Sequence, residues 1–321
     1  MQRKNFINRA KSRASTPKTV KAPSTCSLIE NPATAIKFFT SAEDGYRNHS
    51  AVVYDFTSTE EVTETFAAAL IAHIKDRNIN LGKSSKIIWP ESQVCHQKLR
   101  KLGIFGKVEK DKNEIDLEHL QTQKLTNSKV QNQLAKEIVN SSSQFIYGET
   151  VRIKELYSIL IEIMANTNNH ADVKNSGKYP WWMVIFGDSK LDVVKFVLLD
   201  LGVGIFESLP VKKFGYRIQG TLPVLETQRL HLGMKINYMR ANRLATIFNA
   251  LSEGRINSST QDPTRGRGIP RIVDCAKSGH FRKFNIITND AFIDVVQDSV
   301  YAMDAHFSGT IYYFELKKFQ L

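Results

Sequence analysis

Cysteine is scarce in this chain. Three occur in 321 residues, Cys26, Cys95 and Cys275, and no two share Cys-x-x-Cys spacing. An odd, scattered set supplies neither a disulfide framework nor a zinc knuckle, and it fits reduced thiols in a cytoplasmic protein. Long apolar runs are missing too. The longest, Phe66–Ile74, falls short of the roughly 18 residues a membrane span needs, so no membrane partner is expected. No internal repeat is found. Acidic residues are absent from one place in particular: residues 1–24 carry seven Lys/Arg and no Asp or Glu, against a net charge of +12 for the whole chain. More than half of the excess therefore sits in a segment rich in Ser, Thr, Ala and Lys. That composition predicts a disordered basic tail over 1–30. A solvated tail, an arm tracking nucleic-acid phosphates and an organelle presequence without a marked cleavage site all fit it.

What is present after the tail is ordinary globular sequence, with 42% hydrophobic and 24% charged residues. At this length two domains can each bury a core. "AVVYDF" (51–56) reads as a short strand by its β-branched and aromatic content. Ser58 with Glu61 forms a capping box, and Val62, Phe66, Ala69, Leu70 and Ile74 follow on one helical stripe. "SSKIIWP" gives a second strand and "ESQVCHQKLRKLGIFGKV" a helix stopped near Gly103. The order predicts a small α/β domain at 31–110. Its strand, polar turn and helix resemble the STAS-like domains of anti-sigma antagonists. Where those carry a phosphorylatable hydroxyl, this chain has "STEEVTETF", with Thr63 and Thr65 nearby and neither assignable to that role. Residues 111–150 are polar with helical fragments and read as a connector plus an outer helix.

From 151 onward the pattern sharpens. "VRIKELYSILIEIMA" predicts a helix with Leu156, Ile159, Leu160 and Ile163 on its apolar side, and it ends in Asn166, Asn168, Asn169 and His170. "WWMVIFG" and "DVVKFVLLD" form a hairpin about Gly187, Asp188 and Ser189. The second strand runs into Asp200, Gly202 and Gly204, a D-x-G-x-G. A long segment leads to "TRGRGIPRI" and a helix, and "FSGTIYYFEL" places Gly309 and Thr310 at the opening of an apolar strand. Alone, each motif is weak, because a strand-end turn needs glycine in any case. Together and in this order they resemble the GHKL ATPases (gyrase, heat-shock chaperone, histidine kinase, MutL) over residues 151–321. Glu162, Asn166 and His170 follow the Glu-x-x-x-Asn-x-x-x-His form found in anti-sigma-factor serine kinases.

The resemblance implies a C-terminal two-layer α/β sandwich of the Bergerat type, a mixed sheet with helices on one face. It also implies ATP and Mg²⁺ as ligands. Spacing by four keeps Glu162, Asn166 and His170 on one slowly drifting helix face. By resemblance Asn166 gives an oxygen to Mg²⁺, which otherwise takes phosphate and water oxygens, and Glu162 is the general base for the attacking water. His170 either touches phosphate or caps the helix. Asp200 would accept a hydrogen bond from the adenine amino group, while Gly202 and Gly204 let backbone approach the base. Gly266 and Gly268 precede a helix whose N-terminus favours phosphate, flanked by Arg265 and Arg267. Thr310 would reach adenine through water. Residues 205–265 would form the lid, with nine Lys/Arg against four Asp/Glu. The activity implied is slow ATP hydrolysis coupled to lid closure and to partner or self-association. Two alternatives stay open: a serine/threonine kinase acting on a STAS partner, and an ATP-gated scaffold holding nucleic acid through tail and lid.

Overall fold

A computed structural model describes residues 16–101, 130–170, 181–209, 238–255 and 268–319. The chain is mixed α/β and divides into two compact units, 1–109 and 110–321. Among the described residues no helix is long and apolar enough to cross a membrane.

The first unit alternates strand and helix. Strands β1 (Lys18–Lys21), β3 (Ala51–Asp55) and β5 (Ser84–Ile88) lie parallel in that order, and β2 (Thr25–Cys26) pairs in parallel with β4 (Glu61–Val62). Parallel neighbours need long crossovers, which here are helices α1 (Pro32–Asn48) and α2 (Glu64–Leu81); α3 (Gln93–Lys101) follows β5. Two expectations are corrected. Residues 16–30 are not tail: Val20, Ala22, Cys26 and Leu28 are buried, and β1 is a strand of the sheet. Its two lysines and single inward valine hid it. The capping box is also displaced, because Glu61 and Val62 belong to β4. Thr63 caps α2 instead, its hydroxyl accepting from the Phe66 N–H at 3.4 Å, and Gly82 closes the helix in the left-handed region at φ 60°.

Between α1 and α2 runs a buried polar chain. Arg77 Nε lies 2.7 Å and His73 Nε2 3.4 Å from Glu43, and the Tyr54 hydroxyl is 3.2 Å from both His73 Nδ1 and the Tyr46 hydroxyl. Burial opposes ionisation of Glu43, yet His73 and Arg77 outweigh it and bring the carboxyl down to about 2. Burial likewise holds His73 below its ordinary value against the pull of Glu43.

The second unit carries α4 (Asn132–Tyr147), α5 (Lys154–His170), β6 (Trp181–Asp188), β7 (Val193–Asp200), α6 (Tyr238–Ser252), α7 (Gly268–Ala276), β8 (Phe281–Asp294) and β9 (Ser299–Lys317). Its sheet, ordered β6-β7-β9-β8, is antiparallel at every described pairing, so the mixed sheet expected here is not found; parallel pairing is confined to the first unit. The hairpin at 188–193 stands as expected, with the Asp188 carboxylate accepting from the Lys190 and Leu191 amides. Alternate strand residues such as Met183, Phe196, Leu198, Ile286 and Phe314 share one core with Leu156, Ile159 and Leu160 of α5, with Ala241 and Leu244 of α6, and with Ile272 of α7. Helix α6 falls inside the 205–265 segment expected to be a lid, but its apolar face belongs to this core. Residues 210–237 and 256–267 lie outside the described residues.

Phe196, Phe314 and Phe284 sit side by side in register and stack, with centroids 4.7 and 5.0 Å apart. All three are fully buried. Phe314→Ala, at the centre of the stack, is expected to destabilise the second unit by about 3–5 kcal/mol. Urea unfolding followed by tryptophan fluorescence measures this, and an unchanged midpoint would show that the stack contributes nothing.

Candidate functional site

Two polar clusters flank one tyrosine on the helix-covered face of the sheet. The first is built by α5 and α7. Leu156, Ile159, Leu160, Ile163 and Met164 turn α5 toward the core, which leaves the Glu162 and Asn166 row facing the first residue of α7. A Cβ added at Gly268 would stand 2.6 Å from Asn166 Oδ1 and 3.3 Å from Glu162 Oε2. A side chain here would have to displace the Asn166 amide and crowd Glu162. The Asn166 amide nitrogen is buried and makes no hydrogen bond of ordinary geometry among the described residues. Arg271, one turn into α7, lies 3.7 Å from Glu162 and donates to the Ser158 hydroxyl at 3.2 Å.

The second cluster forms where β7 ends. Asp200 is buried, and that burial pushes its carboxyl up to about 6, against the backbone N–H groups of Gly202 and Thr310. The Gly202 bond to Asp200 Oδ1 measures 3.0 Å. Gly309, next door on β9, has φ +131°, and a Cβ there would lie 2.1 Å from the Asp200 carbonyl oxygen. No other residue fits that crossing. Gly309 and Thr310 were expected to open their strand; they lie in mid-strand, since β9 begins at Ser299. Thr310 pairs with both Asp200 and Thr288, and the two threonine hydroxyls are 3.3 Å apart.

Tyr312 joins the clusters. Burial pushes its phenol well up, the neighbouring Asp200 carboxylate adds to the shift, and the Asn166 amide opposes it. Both candidate groups therefore act on one hydroxyl. Beyond Asp200, the turn 201–209 is clamped from β8. Thr288 Oγ1 accepts the Ile205 amide at 2.8 Å, Asn289 Oδ1 accepts the Phe206 amide at 3.0 Å, and Asn289 Nδ2 donates to the Val203 carbonyl at 2.7 Å. Gly204, at φ +82°, brings the turn so close that a Cβ would meet the Asn289 side chain at 2.6 Å. Asp290 then pairs with Arg240 of α6.

Of the residues singled out from sequence, Glu162, Asn166 and Gly268 come together, and Asp200, Gly202, Gly204 and Thr310 come together. Arg265, Gly266 and Arg267 lie outside the described residues, as does the side chain of His170, the last residue of α5. Sequence reasoning missed Tyr312, Thr288, Asn289 and Arg271. Strand alternation could have found Tyr312, two positions after Thr310 and so on the same face. Nothing local marks Thr288 or Asn289, whose partners lie some 80 positions away. Among the described residues no group of three His, Cys, Asp or Glu could hold a metal ion by itself.

The folded-state value of Asp200 lies above that of the unfolded chain, so folding favours its protonated form. That contribution is complete below the unfolded value of about 3.9 and is lost as pH rises through about 6. Asp200→Asn removes the charge and keeps an oxygen for the two amides. It is expected to raise stability by up to about 3 kcal/mol at pH 7–8, with the gain vanishing near pH 4. Thermal melts across this range test it, and a variant no more stable than the parent at pH 8 would refute the account.

No family model matches the chain, and no curated protein matches it.

Proposed function

We propose that the second unit binds ATP with Mg²⁺ in the manner of the GHKL ATPases and hydrolyses it slowly. The observation that carries this reading is the meeting of three distant segments, β7, α5 and α7, about Tyr312 and Asn166. Asp200 approaches from the end of β7 and Asn166 from the end of α5, with Gly268 and Glu162 beside Asn166. A buried acceptor at one end and a helix N-terminus with two oxygens at the other suit a ligand with an amino-bearing base and an anionic tail. Helices packed on one face of the sheet support the two-layer part of this reading, though not its mixed sheet, and the parallel β-α-β order of the first unit supports a STAS-like domain.

Asn166 Oδ1 fits a cation that draws its remaining ligands from phosphate and water. Bound Mg²⁺ would supply charge neutralisation on the triphosphate. Glu162, half-buried one turn before Asn166, would orient a water and take its proton. Gly268 would present the α7 backbone N–H groups to phosphate without a Cβ in the way. The Asp200 carboxylate would accept from the base amino group, and the Thr288–Asn289 clamp would hold the turn beside it. Nucleotide state would then be passed on through partner association or dimerisation.

Calorimetry should find ATP binding that strengthens with Mg²⁺, prefers ATP over GTP, and weakens at least tenfold in Asp200→Asn. Affinity should fall as pH drops through about 6, where Asp200 takes up its proton. An Asn variant that binds ATP as well as the parent would remove the base-reading role of Asp200. Glu162→Ala should bind ATP within about twofold of the parent and lose hydrolysis by about 10²–10⁴-fold. Retained turnover would take Glu162 out of the mechanism. The kinase alternative is separated by the fate of a labelled γ-phosphate, which a kinase leaves on protein and an ATPase releases.

A further inference from the structure

Trp181 opens β6 directly opposite Asp200 in the antiparallel register. Directly opposed residues point to the same face with Cβ atoms about 5 Å apart, so the indole and the carboxylate rise from adjacent positions on one face of the sheet. The same row continues through Thr310 to Thr288. Asp200 and Thr288 in this row are met by partners: Asp200 by the Gly202 amide, Thr288 by the Ile205 amide and the Gly309 carbonyl. Trp181 is the exception. It is 2% exposed, and its Nε1–H has no hydrogen-bond partner among the described residues. Folded proteins seldom bury a bare donor.

A carboxylate acceptor next to an N–H donor is complementary to one edge of adenine. There the amino group donates, and each ring nitrogen beside it, N1 or N7, accepts. Guanine presents an acceptor where adenine has its amino group. We propose that Trp181 is a base-reading residue, its indole N–H donating to the ring nitrogen beside the adenine amino group while Asp200 accepts from that amino group. This rests on the ATP-binding reading of the site and adds a second determinant to it. The apolar part of the indole belongs to the core shared with α5, so its donor is held in place before any ligand arrives.

The test measures binding of ATP, 1-deaza-ATP and 7-deaza-ATP, with Mg²⁺, to the full chain and to Trp181→Phe. On the unaltered chain, one of the two deaza nucleotides is expected to bind about tenfold more weakly than ATP. Trp181→Phe should bind ATP about tenfold more weakly and no longer distinguish that analogue from it. Equal binding of all three nucleotides to the unaltered chain overturns the assignment, and so does a deaza penalty that persists in the Phe variant. Absent ATP binding, or binding indifferent to Asp200→Asn, defeats the ATP reading itself. Asp200-dependent binding without a Trp181-dependent penalty defeats only this inference. The measurements on the unaltered chain stay decisive even where the variant does not fold.

Discussion

A carboxylate buried at the end of a sheet strand organises the second unit. Asp200 sits where burial works against its charge, and among the described residues two backbone amides, from Gly202 and Thr310, offset that cost. Those amides come from the turn that follows β7 and from the strand beside it. Placing Asp200 therefore fixes both, and the close passage of Gly309 over its carbonyl is part of the same arrangement. From Thr310 the register carries order to Thr288, and from Thr288 and Asn289 back to the turn. The polar network closes on itself around one acid that is out of place in purely structural terms.

The legible part of the fold was the part governed by local pattern. Alternation and β-branched content gave β3, β5 and the β6–β7 hairpin, and helical spacing gave α5 with its apolar and polar sides. The i, i+4 relation of Glu162 and Asn166 was enough to put them on one face, and that face does meet Gly268. What could not be read depends on long-range pairing. β1 buries a single side chain of its own, so its place is decided by β3 rather than by its composition. The Thr63 cap lost to Ser58 in the sequence because both are hydroxyl residues followed by acids, and only the pairing of β4 with β2 decides between them. Thr288 and Asn289 carry no motif; their partners are brought to them by the order of strands in the sheet.

Glu43 of the first unit and Asp200 of the second are buried acids held in different ways. In the first, Glu43, His73 and Arg77 are closed into pairs between two helices, and the ionised state of Glu43 is favoured. Such a network specifies how α1 meets α2, because a shift of one helix would leave a charge without its counterpart. In the second unit Glu315 is likewise closed onto Arg282, whereas Asp200 has two amides and no ion-pair partner among the described residues, and Trp181 Nε1 has no hydrogen-bond partner there.

The edge position of β1 bears on how the chain should be handled at the bench. Because this strand lies within the basic leader, trimming at residue 24 to improve solubility would remove Lys18–Lys21 from the sheet. The flank of β3 would then be stripped of its neighbour, leaving backbone amides and carbonyls open to pairing with another molecule. Shortening the leader only up to residue 15 keeps the strand, whereas a deeper cut invites self-association unrelated to any nucleotide.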